Sequence, residues 1–238
     1  MKRLNIKLAF ITNGILLLIV LCVGVVSFFP SAIVPIYGGE KLGAIYRGNV
    51  NLKNVSLMFN VYENTDTVSK IVDILDKNNV KATFFVGGCW ADDNQVMLEK
   101  IVKSGHELGN HGYFHKDHKK LSYEQNEQEI SLTEKIVEAL CSAKTKLFAP
   151  PSGSYSDVTL ECAFNLGYKV IMWSKDTIDW RDKDTNIIFK RATQNLSNGD
   201  LVLMHPKEHT LKVLQEIIEY YKNAGFNVVS VSDNISNT

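Results

Sequence analysis

The sequence predicts a parallel α/β fold: a distorted (β/α) barrel of about seven strands, preceded by one N-terminal transmembrane helix. Three observations predict it. From residue 54 onward, short apolar runs alternate about seven times with helix-period segments, the pattern of parallel strands joined by crossover helices. Residues of chemical interest fall just after those runs, at Asn60, His111, Pro151, Asp179 and His205. Five separate segments converge at strand C-terminal ends only if the sheet closes or bends strongly. The third observation is an apolar stretch near the N-terminus.

That stretch comes first in the chain. Lys2, Arg3 and Lys7 precede a nearly uncharged run from Leu8 to Tyr37, densest between Ile15 and Phe29. About 20 apolar residues span a bilayer core, and leading cations hold the N-terminus inside. Pro30-Ser31-Ala32 is a poor cleavage site, and Cys22 follows the bulky Leu21, so an uncleaved anchor is expected over a cleaved signal peptide or a lipid anchor. Residues 1–36 are read as cytoplasmic stub and anchor, 37–52 as a Gly-rich linker, and 53–238 as one extracytoplasmic domain on a bacterial cell membrane.

Within the domain, Val55–Phe59 reads as a buried strand. Val68, Ile71, Val72 and Leu75 give Thr67–Lys77 a helical stripe. Lys81–Val86 reads as a strand ended by Gly87-Gly88, and Asn94–Ser104 as a helix stopped by Gly105. Ser122–Leu140 is a long amphipathic helix whose Ser122-x-x-Gln125 start is a capping box. Lys146–Phe148 is a short strand, Asp157–Asn165 a helix and Tyr168–Trp173 a strand. Asn186–Leu196 is a helix, Asp200–Met204 a strand, Thr210–Asn223 a helix and Asn227–Val231 the last strand.

Composition narrows the function classes. The 26 basic and 26 acidic side chains balance, which argues against a nucleic-acid partner. Outside the apolar run the cysteines are Cys89, Cys141 and Cys162, without C-x-x-C spacing. They point to buried thiols or one bridge rather than a structural zinc site or a disulfide framework.

His111 and His115 lie four residues apart. Two imidazoles at that spacing reach one divalent ion if the turn between them is helical. Read alone, the pair is either a metal couple or a coincidence in a loop rich in Lys and His. His205, after an apolar strand, is either a general acid or base or an ordinary strand-end histidine. Asp176-Thr-Ile-Asp179-Trp180 is a turn that either caps itself or walls a sugar-sized pocket.

Together these segments resemble the NodB-type polysaccharide deacetylases, carbohydrate esterase family four. The resemblance runs over about residues 53–233. It rests on Phe59-Asn60-Val61, His111-Gly-Tyr-Phe-His115, Ala149-Pro-Pro151-Ser-Gly153, Asp176-Thr-Ile-Asp179-Trp180 and Leu203-Met-His205, with Lys81–Phe85 and Gly105–Asn110 as further landmarks. It implies metal-dependent hydrolysis of N-acetyl groups on cell-wall or spore peptidoglycan. His205 would be the general acid, tuned by Asp179. Trp180, Pro151 and Tyr155 would line the substrate site, and His111 and His115 would hold a divalent ion, zinc by family habit.

Three departures cut against turnover. Asn60 replaces the base Asp, Val61 replaces the metal-binding Asp, and Ala149 replaces the Arg that steadies the base. The losses cohere, because an Arg without its carboxylate would be a buried unpaired charge. They resemble the sporulation-associated, YlxY-like branch. The expected activity is therefore a weak deacetylase with weak or absent metal occupancy. The alternative is an inactive, membrane-anchored glycan-binding pseudoenzyme. Glu63, Asp92, Asp93 and Asp117 are the carboxylates considered as substitutes for the lost base.

Overall fold

The computed structural model describes residues 12–21, 36–37 and 40–236. Two compact units separate, Met1–Leu42 and Gly43–Thr238. In the first, residues 12–21 are helical and Ile36–Tyr37 pairs antiparallel with Glu40–Lys41. Among the described residues no helix is long and apolar enough to cross a membrane; most of the expected anchor lies outside them.

The second unit is a half-barrel of parallel strands wrapped by helices. Its strands are β1 (Asn54–Val61), β2 (Thr83–Val86), β3 (Glu107–Asn110), β4 (Leu147–Phe148), β5 (Lys169–Val170), β6 (Lys175–Asp176), β7 (Asp200–Met204) and β8 (Asn227–Val228). Seven follow the order β5-β4-β3-β2-β1-β7-β6, and β8 pairs with the start of β1. Every pairing in this sheet is parallel. The helices are α1 (Thr65–Lys77), α2 (Gly88–Asp93), α3 (Gln95–Lys103), α4 (Tyr123–Cys141), α5 (Asp157–Asn165), α6 (Thr185–Thr193), α7 (Glu208–Asn223) and α8 (Val231–Ile235).

Side-chain alternation along β1 divides the core. Val55, Leu57, Phe59 and Val61 point to the helix layer, where they join Val68, Ile71 and Leu75 of α1 and Val213, Leu214 and Ile217 of α7. Met58 points the other way, into a smaller concave cluster with Phe85, Ala149, Leu201 and Leu203. Asn60 shares the parity of Met58, so the strand period alone aims it at the concave mouth.

The element order agrees with the sequence reading, with local differences. Tyr168–Trp173 is a strand only over Lys169–Val170, and the chain pairs again at Lys175–Asp176. Asn227–Val231 shortens to two residues because Ser230 accepts a hydrogen bond from Asp233 N–H and starts α8. Helix α2 was not expected after Gly87-Gly88. Gly88 makes it possible: a Cβ there would lie 2.2 Å from the Tyr113 ring. Residues 45–49 are woven into the second unit. Ile45 bridges Ile171 and Arg47 bridges Asp200, while Gly48 N–H donates to Gly199 O at 2.7 Å. Cys89, Cys141 and Cys162 are free thiols; only Cys162 is buried, and Cys89 is exposed.

Candidate functional site

A cleft of about 340 Å³ opens at the C-terminal ends of the strands, lined by residues from β1, β6, β7 and the loops after β3 and β4. It brings together Asn60, His111, His115, Trp180 and His205. Tyr62, Ser152, Trp173, Asp176 and Leu203 complete it. Pro151 and Tyr155 do not line it. Pro151 is buried behind the loop after β3, and the Tyr155 hydroxyl bonds that of Tyr46 at 2.8 Å.

The histidine pair is held by an irregular turn, not by the helical one its spacing suggested. Gly112 has φ +73 and His115 has φ 55, left-handed conformations that break a helix and are uncommon for a non-glycine residue. The rings still meet edge to face, with centroids 5.1 Å apart. His111 Nδ1–H donates to Ala149 O at 2.7 Å, which leaves Nε2 as the lone-pair nitrogen. Burial pushes the His111 imidazole down to about 3, with His115 adding to the shift. Burial also lowers His115, and His205 contributes. Both rings are thus neutral, the form a metal requires.

The donor set nevertheless does not fit a resident divalent ion. Among the described residues, no group of three or more His, Cys, Asp or Glu side chains is placed to hold one. Val61 lies in the helix-side core, fully buried, and turns away from the cleft. The residue that does stand beside the pair is Tyr62, its ring 4.4 Å from that of His115. Two neutral nitrogens with an aromatic neighbour lack the charge that a hydrolytic zinc site draws from a carboxylate.

The opposite wall is fully built. Asp179 is completely buried. It accepts from His205 Nδ1–H at 2.8 Å, from His205 N–H at 2.8 Å and from Thr210 Oγ1–H at 2.7 Å. The Nδ1–H bond fixes the tautomer and the other two hold the carboxylate in place, so Nε2 is the nitrogen left for a ligand or a leaving group. The turn that carries Asp179 has Ile178 at φ 55, a costly conformation for a β-branched residue. Asp176 Oδ1 steadies it by accepting from Ile178 N–H at 2.8 Å. Trp180 is 54% exposed on the rim, open to a ligand.

Asn60 sits on the floor. It is 3% exposed and its Oδ1 has no hydrogen-bond partner. Among the described residues, none of the four carboxylates considered as a substitute base lines the cleft with it. Glu63 pairs with Lys207; Asp117 accepts from Ser154 Oγ–H and pairs with Lys120; Asp92 and Asp93 border a separate depression with Asp66. The cleft's one carboxylate is Asp176, which burial raises.

The polysaccharide deacetylase family model matches residues 47–171. YlxY of Bacillus subtilis is 34% identical over 82% of this chain. The chain belongs to the polysaccharide deacetylase family. It spans 61% of the length of YlxY. Another member of the family, a peptidoglycan-N-acetylglucosamine deacetylase of Bacillus cereus, is 30% identical over 81% of this chain and 72% of its own. A crystal structure of BA3943, a CE4-family pseudoenzyme from Bacillus anthracis, superposes with a TM-score of 0.81. It is 34% identical and covers 83% of this chain and 70% of its own. A mutant of that pseudoenzyme with restored enzymatic activity superposes equally, at 0.81, with 33% identity and coverage of 83% and 73%.

Tyr62, Ser152 and Trp173 were missed by sequence reasoning. Tyr62 carries a signal: it stands two residues beyond Asn60, just past the end of β1, so continued alternation keeps it on the same side. Ser152 lies inside a recognised turn at φ 55. Trp173 closes the expected strand Tyr168–Trp173, so its place at a strand end is the one local signal that it could reach the cleft.

Proposed function

We propose that this chain is a membrane-tethered, glycan-binding member of the deacetylase family with little or no N-deacetylase turnover. One observation carries the reading: the cleft floor holds the Asn60 carboxamide and no carboxylate beside His111 and His115, while His205, Asp179 and Trp180 keep a shaped wall. A carboxamide does not accept the proton of an attacking water, and general-base catalysis is typically worth ~10² to 10⁴ in rate. The likeness to a peptidoglycan-N-acetylglucosamine deacetylase supports an N-acetylated cell-wall glycan as the ligand, and the likeness to a CE4 pseudoenzyme supports the loss of turnover. Tethering by the N-terminal apolar run, with the domain outside the cytoplasm, belongs to the same proposal. So does a role in the spore wall, which rests on the resemblance alone.

A second reading is a slow hydrolase. It is favoured by the intact His205–Asp179 pair and by Asp176, the carboxylate on the cleft wall.

Acetate release separates the two. Full-length protein, mixed with N-acetylglucosamine oligomers and zinc or cobalt, is expected to release acetate at least about 10²-fold more slowly than the Bacillus cereus relative, while still binding the oligomers. Turnover within tenfold of that enzyme overturns the proposal.

A further inference from the structure

We infer that Asn60 makes the cleft floor a reader of the intact acetamido group, so that acetylated glycan is held in preference to glycan bearing free amines. The inference rests on the glycan-binding reading above and adds the residue that sets its selectivity. Asn60 lies at the end of β1 with its side chain on the concave face, 3% exposed, lining the cleft. Its Oδ1 is buried without a partner. An orphaned buried oxygen costs free energy that a correctly placed donor would recover.

A carboxamide carries one acceptor and two donors. An acetamido group presents a C=O and an N–H on opposite edges of its trans amide, so Asn60 meets it at one edge, with Nδ2–H donating to the acetyl oxygen or Oδ1 accepting from the N–H. A carboxylate at this position offers acceptors only and has nothing to donate to the acetyl oxygen. The single replacement that removes a base thus supplies a donor. The surrounding chemistry agrees: Trp173, Trp180 and Leu203 give the cleft apolar surface for a methyl group and a sugar face. An ammonium entering the floor would be desolvated against a neutral amide. The competing feature is Asp176, which lies on the wall and would attract an ammonium.

Isothermal titration decides between them. Full-length protein in mild detergent and excess EDTA is titrated with an N-acetylglucosamine tetramer and with its fully deacetylated counterpart. The acetylated tetramer is expected to bind roughly tenfold or more tightly. Asn60→Asp, which is isosteric, is expected to abolish or invert that preference. Asn60→Ala is expected to weaken the acetylated ligand and leave the amine ligand within about twofold. Thermal melts confirm that each variant is folded. Equal binding of both ligands, a preference for the amine, or an unchanged ratio in both variants overturns the role of Asn60 and leaves the glycan-binding reading standing. Binding of neither ligand removes the glycan-binding reading and this inference with it.

Discussion

Val61 marks the point at which the lost chemistry became ordinary packing. Its side chain is fully buried among Val68, Val86 and Ala91 of the helix-side core, so a carboxylate there has no water to face. Val61→Asp alone is expected to cost about 3 kcal/mol or more in urea unfolding, from lost apolar burial and an unpaired buried charge. Asn60→Asp, on the cleft floor, is expected to cost less, because its side chain faces the cleft and not the helix-side core. The combined variant Asn60→Asp, Val61→Asp, Ala149→Arg is expected to gain thermal stability from zinc, because the ion draws the carboxylate at position 61 out of the core to the end of β1 beside His111 and His115, and a ligand that binds only the folded state stabilises it by mass action. The unaltered chain is expected to gain little. A zinc titration that leaves the melting temperature of the triple variant unmoved contradicts the assignment of positions 60, 61 and 149. His106 contributes to acid stability. The His106 side chain is wholly buried, with Asp76 Oδ1 at 3.5 Å, yet burial outweighs that carboxylate and pushes the imidazole down to about 4. Its folded value lies below the unfolded value of 6.5, so the unfolded chain binds more protons between the two. The contribution is complete above pH 6.5 and is lost as pH falls toward 4. The slope is about 1.4 kcal/mol per pH unit. Urea unfolding between about pH 6.5 and 4.5 should show this slope added to that of His111, which burial also lowers, and His106→Gln should reduce the total by about 1.4 kcal/mol per pH unit.

Helix α4 decides where the histidine loop sits. Its N-terminus is a complete capping box, with Ser122 and Gln125 exchanging bonds, and its buried face carries Glu129. Glu129 Oε2 accepts from Tyr113 N–H at 2.9 Å and Phe114 N–H at 2.7 Å, and Oε1 lies 3.0 Å from Lys116 Nζ. The left-handed turn at Gly112 and His115 is therefore tied to helix α4 through this carboxylate, beside the bonds from Gly112 N–H to Asn110 Oδ1 and from Cys89 N–H to Tyr113 O. Glu129→Ala is expected to cost ~1–3 kcal/mol, since it strips a charged acceptor from two part-buried donors. It should also speed hydrogen exchange at residues 113 and 114. Ser122→Ala is expected to cost ~1 kcal/mol and leave that exchange unchanged; equal effects of the two would deny Glu129 its place in the loop. The contrast shows what sequence makes legible. The capping box is a local rule, so Ser122-x-x-Gln125 announces itself. Glu129 looks like one more charge on an amphipathic helix, and only the fold brings it to a loop 15 residues earlier. The same holds for α2, whose Gly88 reads as a stop until Tyr113 is seen packed against it. The parity of β1 put Asn60 on the correct face, yet the same rule turns Val61 away from the cleft. The five motif segments were legible because strand ends are marked by apolar runs. Which neighbouring side chains complete the cleft was not, because Trp173 and Ser152 reach it through long-range packing.

At the scale of the whole molecule, a half-barrel has two open edges, β5 and β6, and the strap at residues 45–49 ties one side of the opening to the other. Ile45 O accepts from Met172 N–H at 2.8 Å beside β5, and Arg47 Nη1 meets Asp200 Oδ1 at 2.7 Å at the start of β7. Asp200 is fully buried, so its charge depends on its partners: Arg47, Ser174 Oγ–H at 2.7 Å, Ser197 N–H at 2.8 Å and Lys175 at 3.8 Å. The family match also begins at residue 47, which fits a strap that belongs to the folded unit. Removing one member of such a set leaves a buried charge less well compensated. Arg47→Ala is therefore expected to cost ~1–3 kcal/mol, below the full penalty for breaking an isolated buried pair because three other groups remain. Arg47→Lys should recover only part of the loss, since an ammonium does not reproduce the planar guanidinium fork. Asp200 sits at the opposite end of β7 from His205, so the ligand cleft should not sense the change while the chain stays folded. Glycan affinity within twofold of the unaltered protein, measured beside the urea midpoint, is the expected result. An affinity that falls in step with stability would mean that the opening of the half-barrel and the cleft move together.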